Sequence, residues 1–256
     1  MIGALGLLNL VGCVDAKEAT PVRVAVVSSA MDAAPVRTRL GYEVSVQEAR
    51  LTVKDFQFTT NGEQHAGFLE RVADLLVTKA FAHPGHAQGG TVLGELSGRF
   101  IVDGLHEHPL GTATMVASSY EACNFEFAIA DSTDVAEDDP LLGHTALIVG
   151  TARKDGRSIG FRALLDAPAG RTLTGVPFRV DIAEKTSGPI HFRFFLSDPV
   201  EHDTLLDELD FFQLDPDLDG LVEISATSPE GSERDAYFLL RRGFMTHDYF
   251  EMALLP

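Results

Sequence analysis

No tryptophan occurs in the 256 residues, and cysteine occurs only at Cys13 and Cys123. The first absence removes any indole ligand, and the second leaves at most one disulfide. Basic residues are scarce as well: 20 Lys and Arg stand against 38 Asp and Glu, a net charge of −18. So acidic a surface repels phosphate backbones and anionic headgroups, which argues against nucleic acid as a partner and directs attention to cations. Solubility is the plainer reading of the same charge. No apolar run reaches the ~20 residues of a membrane-spanning helix. Catalytic signatures are missing too, with no G-x-S-x-G elbow, G-x-G-x-x-G turn, phosphate-binding P-loop or H-E-x-x-H helix.

What is present is enough apolar chain, 45% of residues, for a sizeable core. The first segment, "MIGALGLLNLVGCVDAKEAT", carries no charge before Cys13 and then turns polar. Leu10-Val11-Gly12-Cys13 resembles the bacterial lipobox, in which a small-residue run precedes a cysteine that is lipidated. That resemblance implies residues 1–13 as signal segment with Cys13 as lipidation site, and an acyl anchor on a membrane surface. Val14 in the next position points to the outer membrane, facing the periplasm or the cell surface. No Lys or Arg precedes the apolar run, a departure from the usual signal, and an apolar N-terminal strand is the competing reading. Without lipid, a Cys13–Cys123 bridge is conceivable in an oxidising compartment.

Residues 14–40 read as a tether and the start of the fold, and 41–256 as one domain. Period-two patterning dominates the latter. "YEVSVQEARLTVKDFQFTT" predicts one long strand, or two with a bulge near Glu48-Ala49. Further strands are predicted in "TVLGELSGRFIVDG", "GTATMVASS", "CNFEFAIAD", "HTALIVGTA", "SIGFRALLDA", "VPFRVDIA" and "PIHFRFFLS". Asp155-Gly156 supplies a hairpin turn, because glycine accepts positive φ at little cost. The expected fold is mainly β, an antiparallel, immunoglobulin-like β-sandwich with two or three short helices. Those helices are expected in "HAGFLERVADLLVTKAF", in "DTLLDELDFF" and, most clearly, in "SPEGSERDAYFLLRRGF", which has acids early and Arg241-Arg242 late. Cys123 falls on an apolar strand face and reads as core.

Two constellations suggest ions. His83 and His86 flank Pro84-Gly85, a fixed turn that can hold two imidazoles toward copper or zinc if other donors arrive. Candidate partners are His65, His106, His108, His247 and Glu95; a polar turn without metal is the alternative. In "LDPDLDGLVEI", Asp215, Asp217 and Asp219 alternate before Gly220, the first half of an EF-hand-like calcium loop. Ala226 stands where the closing Glu belongs, so Glu223, Asp210 or Glu208 must substitute. The alternative is an acidic turn held by Asx hydrogen bonds.

The lipobox, the β-rich body, "SYEACNFEFAIAD" and "LLGHTALIVGTARKDGRSIGFRALLD" together resemble envelope lipoproteins of the MbnP type, which are associated with copper. The chain lacks the Trp that some of those proteins use as a ligand, so the resemblance implies metal handling by histidines alone. The functional expectation is an envelope-anchored lipoprotein that binds divalent metal. A surface interaction or adhesion module is the alternative, and a small hydrolase a third.

Overall fold

The computed structural model describes residues 21–32, 34–60, 91–215 and 218–255. Twelve strands, β1 (Pro21–Ser29), β2 (Val36–Arg37), β3 (Glu43–Thr59), β4 (Val92–Asp103), β5 (His108–Val116), β6 (Ser118–Phe127), β7 (Ala146–Lys154), β8 (Arg157–Leu165), β9 (Thr172–Ile182), β10 (Ile190–Phe194), β11 (Leu221–Ile224) and β12 (Phe250–Leu254), make one sheet. One helix, α1 (Ser232–Phe244), and a 3-10 turn (His247–Tyr249) complete the regular structure of the described residues.

The strand predicted over 42–60 is a single element, β3, 17 residues long. One of its edges carries β2 and then β4. The other carries β7 along Glu43–Leu51 and β6 along Val53–Thr59. The register against β7 shifts between Val46 and Glu48, the predicted bulge. A second irregularity at Asp55, with φ 54°, was not foreseen. Thr52 stands at the fork between β6 and β7: its N–H donates to Thr145 O (2.8 Å) and its carbonyl accepts from Ala128 N (3.0 Å).

From β3 the strand order runs through β4, β5, β1 and β10 to β12 on one side, and through β6 to β9 on the other. The ends meet, because β9 lies beside β12 with Cα atoms within 8 Å, closer than the ~10 Å between stacked sheets. Phenylalanines fill the space so enclosed. Phe56, Phe125, Phe192 and Phe250 are all buried, with ring centroids 5.3 Å apart for Phe56–Phe192 and for Phe125–Phe192, and 5.4 Å for Phe125–Phe250. At ~1.5–3 kcal/mol per buried large side chain, this cluster is a principal source of stability.

The sheet is mixed, which corrects the wholly antiparallel expectation: β1 pairs with β10, and β8 with β11, in parallel. The cause is long connections that return a late segment to a strand edge already formed. The short helix expected in "DTLLDELDFF" is a run of turns instead. Thr204 and Asp207 close it locally, the Thr204 hydroxyl donating to Asp207 Oδ1 (2.7 Å), so side-chain capping displaces helix propagation. The helix expected at 65–81 lies outside the described residues. The C-terminal helix is present as α1 but begins at Ser232 rather than Ser228, since Ser228 is used in the preceding turn, accepting from Ser225 N–H and donating to Glu223 O. Its acids Glu233 and Asp235 and its bases Arg241 and Arg242 follow the dipole as expected, and Ala236, Tyr237, Leu240 and Phe244 face the core. The Asp155-Gly156 hairpin is as expected: both residues have positive φ (53° and 76°), the geometry of a two-residue type I′ turn. β1 enters the sheet between β5 and β10 and buries Val22, Val24 and Val26, within the stretch read as tether and fold start.

Two substitutions test this architecture. The Thr52 hydroxyl is buried and makes no hydrogen bond among the described residues; Thr52→Val is expected to raise unfolding free energy by about 1 kcal/mol in urea titrations, because an unsatisfied polar group is removed. A Cβ on Gly150 would lie 2.7 Å from Ser45 O and from the Phe161 ring. Gly150→Ala is therefore expected to lower stability by about 2 kcal/mol in the same assay.

Candidate functional site: an acidic loop beside Tyr249

His65, His83 and His86 lie outside the described residues, as does Cys13. The partners proposed for the histidine pair fall in separate places. Glu95 is exposed on β4. His247 opens the 3-10 turn, with Nε2 3.4 Å from Asp248. His106 is exposed and paired with Asp103 at 3.0 Å. His108 has both ring nitrogens engaged, Nδ1 with the Ser28 hydroxyl (2.6 Å) and Nε2 with Ile101 O (2.7 Å). None of these belongs to a convergent ligand group among the described residues.

The Asp215 loop is pinned by its own backbone. Asp215 is buried, and its two carboxylate oxygens accept from Asp219 N (3.1 Å) and Gly220 N (3.3 Å). Asp219 accepts from Leu221 N (2.8 Å). This is the Asx arrangement weighed as the alternative to calcium. Asp217 lies outside the described residues. Glu223 sits on β11 and pairs with Arg162 of β8. Asp210 accepts from the Tyr42 hydroxyl (2.6 Å), and Glu208 is exposed.

A third acidic group escaped the sequence reading. In "SDPVEHDT", the carboxylates of Asp198, Glu201 and Asp203 lie within 4.8 Å of one another. The loop that brings them together is closed at its base by the Ser197–Thr204 bridge and by Asp198 N donating to Asp203 O (2.8 Å). Asp198 Oδ1 accepts from Val200 N (2.6 Å) and Glu201 N (3.2 Å). His202 takes φ 62°, which turns the chain back so that Asp203 faces Asp198. Asp198 is buried, Asp203 half-buried and Glu201 exposed. No ion pair engages any of the three among the described residues; Asp198 is met by backbone N–H donors and Glu201 by solvent.

Tyr249 ends the 3-10 turn that precedes β12. Its carbonyl accepts from Phe195 N (2.8 Å), which places it beside the end of β10 just before the acidic loop. The side chain is only 6% exposed. Its pKa is pushed up to about 12, first by burial and then by the negative charges of Asp203, Asp248, Asp198 and Asp207. The one signal available in the sequence was three acids at 198, 201 and 203, between the strand expected at 189–197 and the helix expected from Asp203.

Cys123 is fully buried on β6, and burial pushes its thiol far above the usual range. No helix among the described residues is long and apolar enough to cross a membrane. No protein-family model, curated protein or solved structure matches the chain. Fold and site together define a mainly β protein with an acidic loop just after β10. Peptide mapping after treatment with a thiol-alkylating reagent is expected to find Cys123 unmodified in the native protein and fully modified in denaturant; modification in the native state would remove it from the core.

Proposed function

We propose that this protein is a lipid-anchored, mainly β component of the bacterial cell envelope that binds divalent cations and is not an enzyme. The observation that carries the reading is the set of three carboxylates, Asp198, Glu201 and Asp203, gathered within 4.8 Å and free of ion pairs among the described residues. Holding like charges so close is unfavourable, and a bound cation relieves that repulsion. The net charge of −18 raises the local cation concentration around any such site.

In this reading Cys13 carries the anchor, His83 and His86 hold copper or zinc, and the Asp215, Asp217, Asp219 loop with Glu223 is a further calcium candidate. His65, His247 and Glu95 are the donors proposed to complete the histidine site. The scaffold is the sandwich-like, immunoglobulin-type body expected from the sequence, modified by its two parallel strand pairs and by the approach of β9 to β12. An interaction module is the second reading, and it has its own support. On α1, Phe238 is 52% exposed and, with Leu239, lines a groove between Asp235 and Arg242.

Elemental analysis of the purified protein, followed by titration with copper, zinc and calcium, separates the two. Bound or titratable divalent metal is expected. His83→Ala with His86→Ala is expected to reduce copper and zinc uptake by at least about tenfold. Absence of uptake for every metal abandons the metal-binding reading in favour of the interaction module.

A further inference from the structure

Helix α1 turns Ala236, Tyr237, Leu240 and Phe244 into the core, which leaves Asp235, Phe238 and Arg242 exposed on the opposite side, with Leu239 half-buried beside them. Their spacing of three, four and seven residues puts them on one stripe of the helix. Phe238 is the only exposed aromatic ring among the described residues. With Leu239 it forms the apolar middle of a groove whose ends are Asp235 and Arg242.

Asp235 and Arg242 make no ion pair or side-chain hydrogen bond among the described residues, whereas the neighbouring Arg234 and Arg241 are tied to the carbonyls of Ser228 and Asp166 (2.9 and 2.6 Å). Seven residues at ~1.5 Å rise set the two free charges ~10 Å apart along the axis, too far to pair with each other. A second α1 laid antiparallel resolves this. With a two-fold axis midway between Phe238 and Leu239, Asp235 meets the partner's Arg242, Arg242 meets the partner's Asp235, and Phe238 packs on the partner's Leu239. The stripe is complementary to itself. Charge over the rest of the chain favours the same surface: two copies at −18 each repel, and α1, with three arginines against Glu233 and Asp235, is a segment where bases outnumber acids.

We infer that two copies of this chain associate through the outer stripe of α1, packed antiparallel, with Phe238 and Leu239 at the centre and two Asp235–Arg242 pairs at the ends. A helix of 13 residues is ~20 Å long, too short to bury the ~800 Å² per partner of a standard interface, so the dimer is a reversible one of micromolar to millimolar affinity. The inference rests on the reading of this protein as an interaction module and gives that module its partner.

Sedimentation of the intact chain in ~0.15 M salt, with a chelator present, keeps the test independent of metal binding and screens the general repulsion. Over about 10 µM to 1 mM the mean mass is expected to rise from monomer toward dimer. Phe238→Ala keeps a good helix former at an exposed position and is expected to weaken association at least about tenfold, with far-ultraviolet dichroism unchanged. Asp235→Arg and Arg242→Asp each set like charges face to face at both ends of the stripe, and each is expected to abolish the dimer. Mixed in equal amounts, these two variants are expected to form a heterodimer, because each arginine of one then meets an aspartate of the other, and the double variant is expected to recover self-association. Where dichroism shows a single variant to be unfolded, Phe238→Ala and the double variant decide. A mass that stays monomeric over the whole range overturns the inference, as do folded single variants that do not pair when mixed. A dimer indifferent to all three substitutions uses another surface, so the inference fails and the interaction reading stands. A monomer that crosslinks to a second protein of the cell extract through wild-type α1, but not in Phe238→Ala, likewise leaves only that reading standing; a monomer that crosslinks to none sinks both.

Discussion

Strand β3 must find hydrogen-bond partners for 17 residues of backbone on two edges, and no single neighbour is long enough to provide them. The chain meets this requirement by assigning one edge to β7 and then β6, and the other to β2 and then β4. Partner exchange at Thr52 sends the sheet in two directions, one toward β8 and β11 and one around the phenylalanine core. The register shifts at Val46/Glu48 and Lys54/Phe56 let one strand serve both, since each adds local twist where the partners change. Without β3, the arm ending at β9 and the arm ending at β12 would have no common origin and would not meet.

Charge placement follows a second constraint, that a carboxylate shielded from water needs a donor or a cation. Several acids among the described residues comply visibly. Asp139 takes both guanidinium nitrogens of Arg50 (2.7 and 2.8 Å), and this contact holds its carboxyl below the usual range against the opposing effect of burial. Asp131 is held low by the Thr133 hydroxyl and then by Arg99. Between them, the Arg50 and Arg99 contacts fasten the 128–145 connection over the small cluster of Ala130, Leu141 and Leu147. Buried Asp198 meets the same constraint with backbone donors, accepting from Val200 N and Glu201 N.

Much of the architecture was legible because alternation is a local property. β3, β4, β7, β8 and β9 all present one face to the core, and each matches a predicted strand. The Asp155-Gly156 turn was readable because positive φ selects its residues. β11 and β12 were missed because four or five residues show too few alternations to stand out; their extended form is imposed by β8 and β10. The candidate site was missed for a related reason. Asp198 and Asp203 face each other only because His202 reverses the chain and Ser197 bridges Thr204, and Tyr249 arrives from some 50 residues away.

The sequence alone therefore determined the mainly β class, the acidic surface, the buried position of Cys123, the hairpin turn and the polarity of the C-terminal helix. Each of these depends on residue type or on spacing within a few residues. Tertiary structure decided the parallel pairings, the division of β3 among its partners and which described carboxylates are drawn together at 198–203. Those outcomes depend on which distant backbones reach a free edge first and on how many donors remain near each acid once they have, quantities that no local window of residues contains.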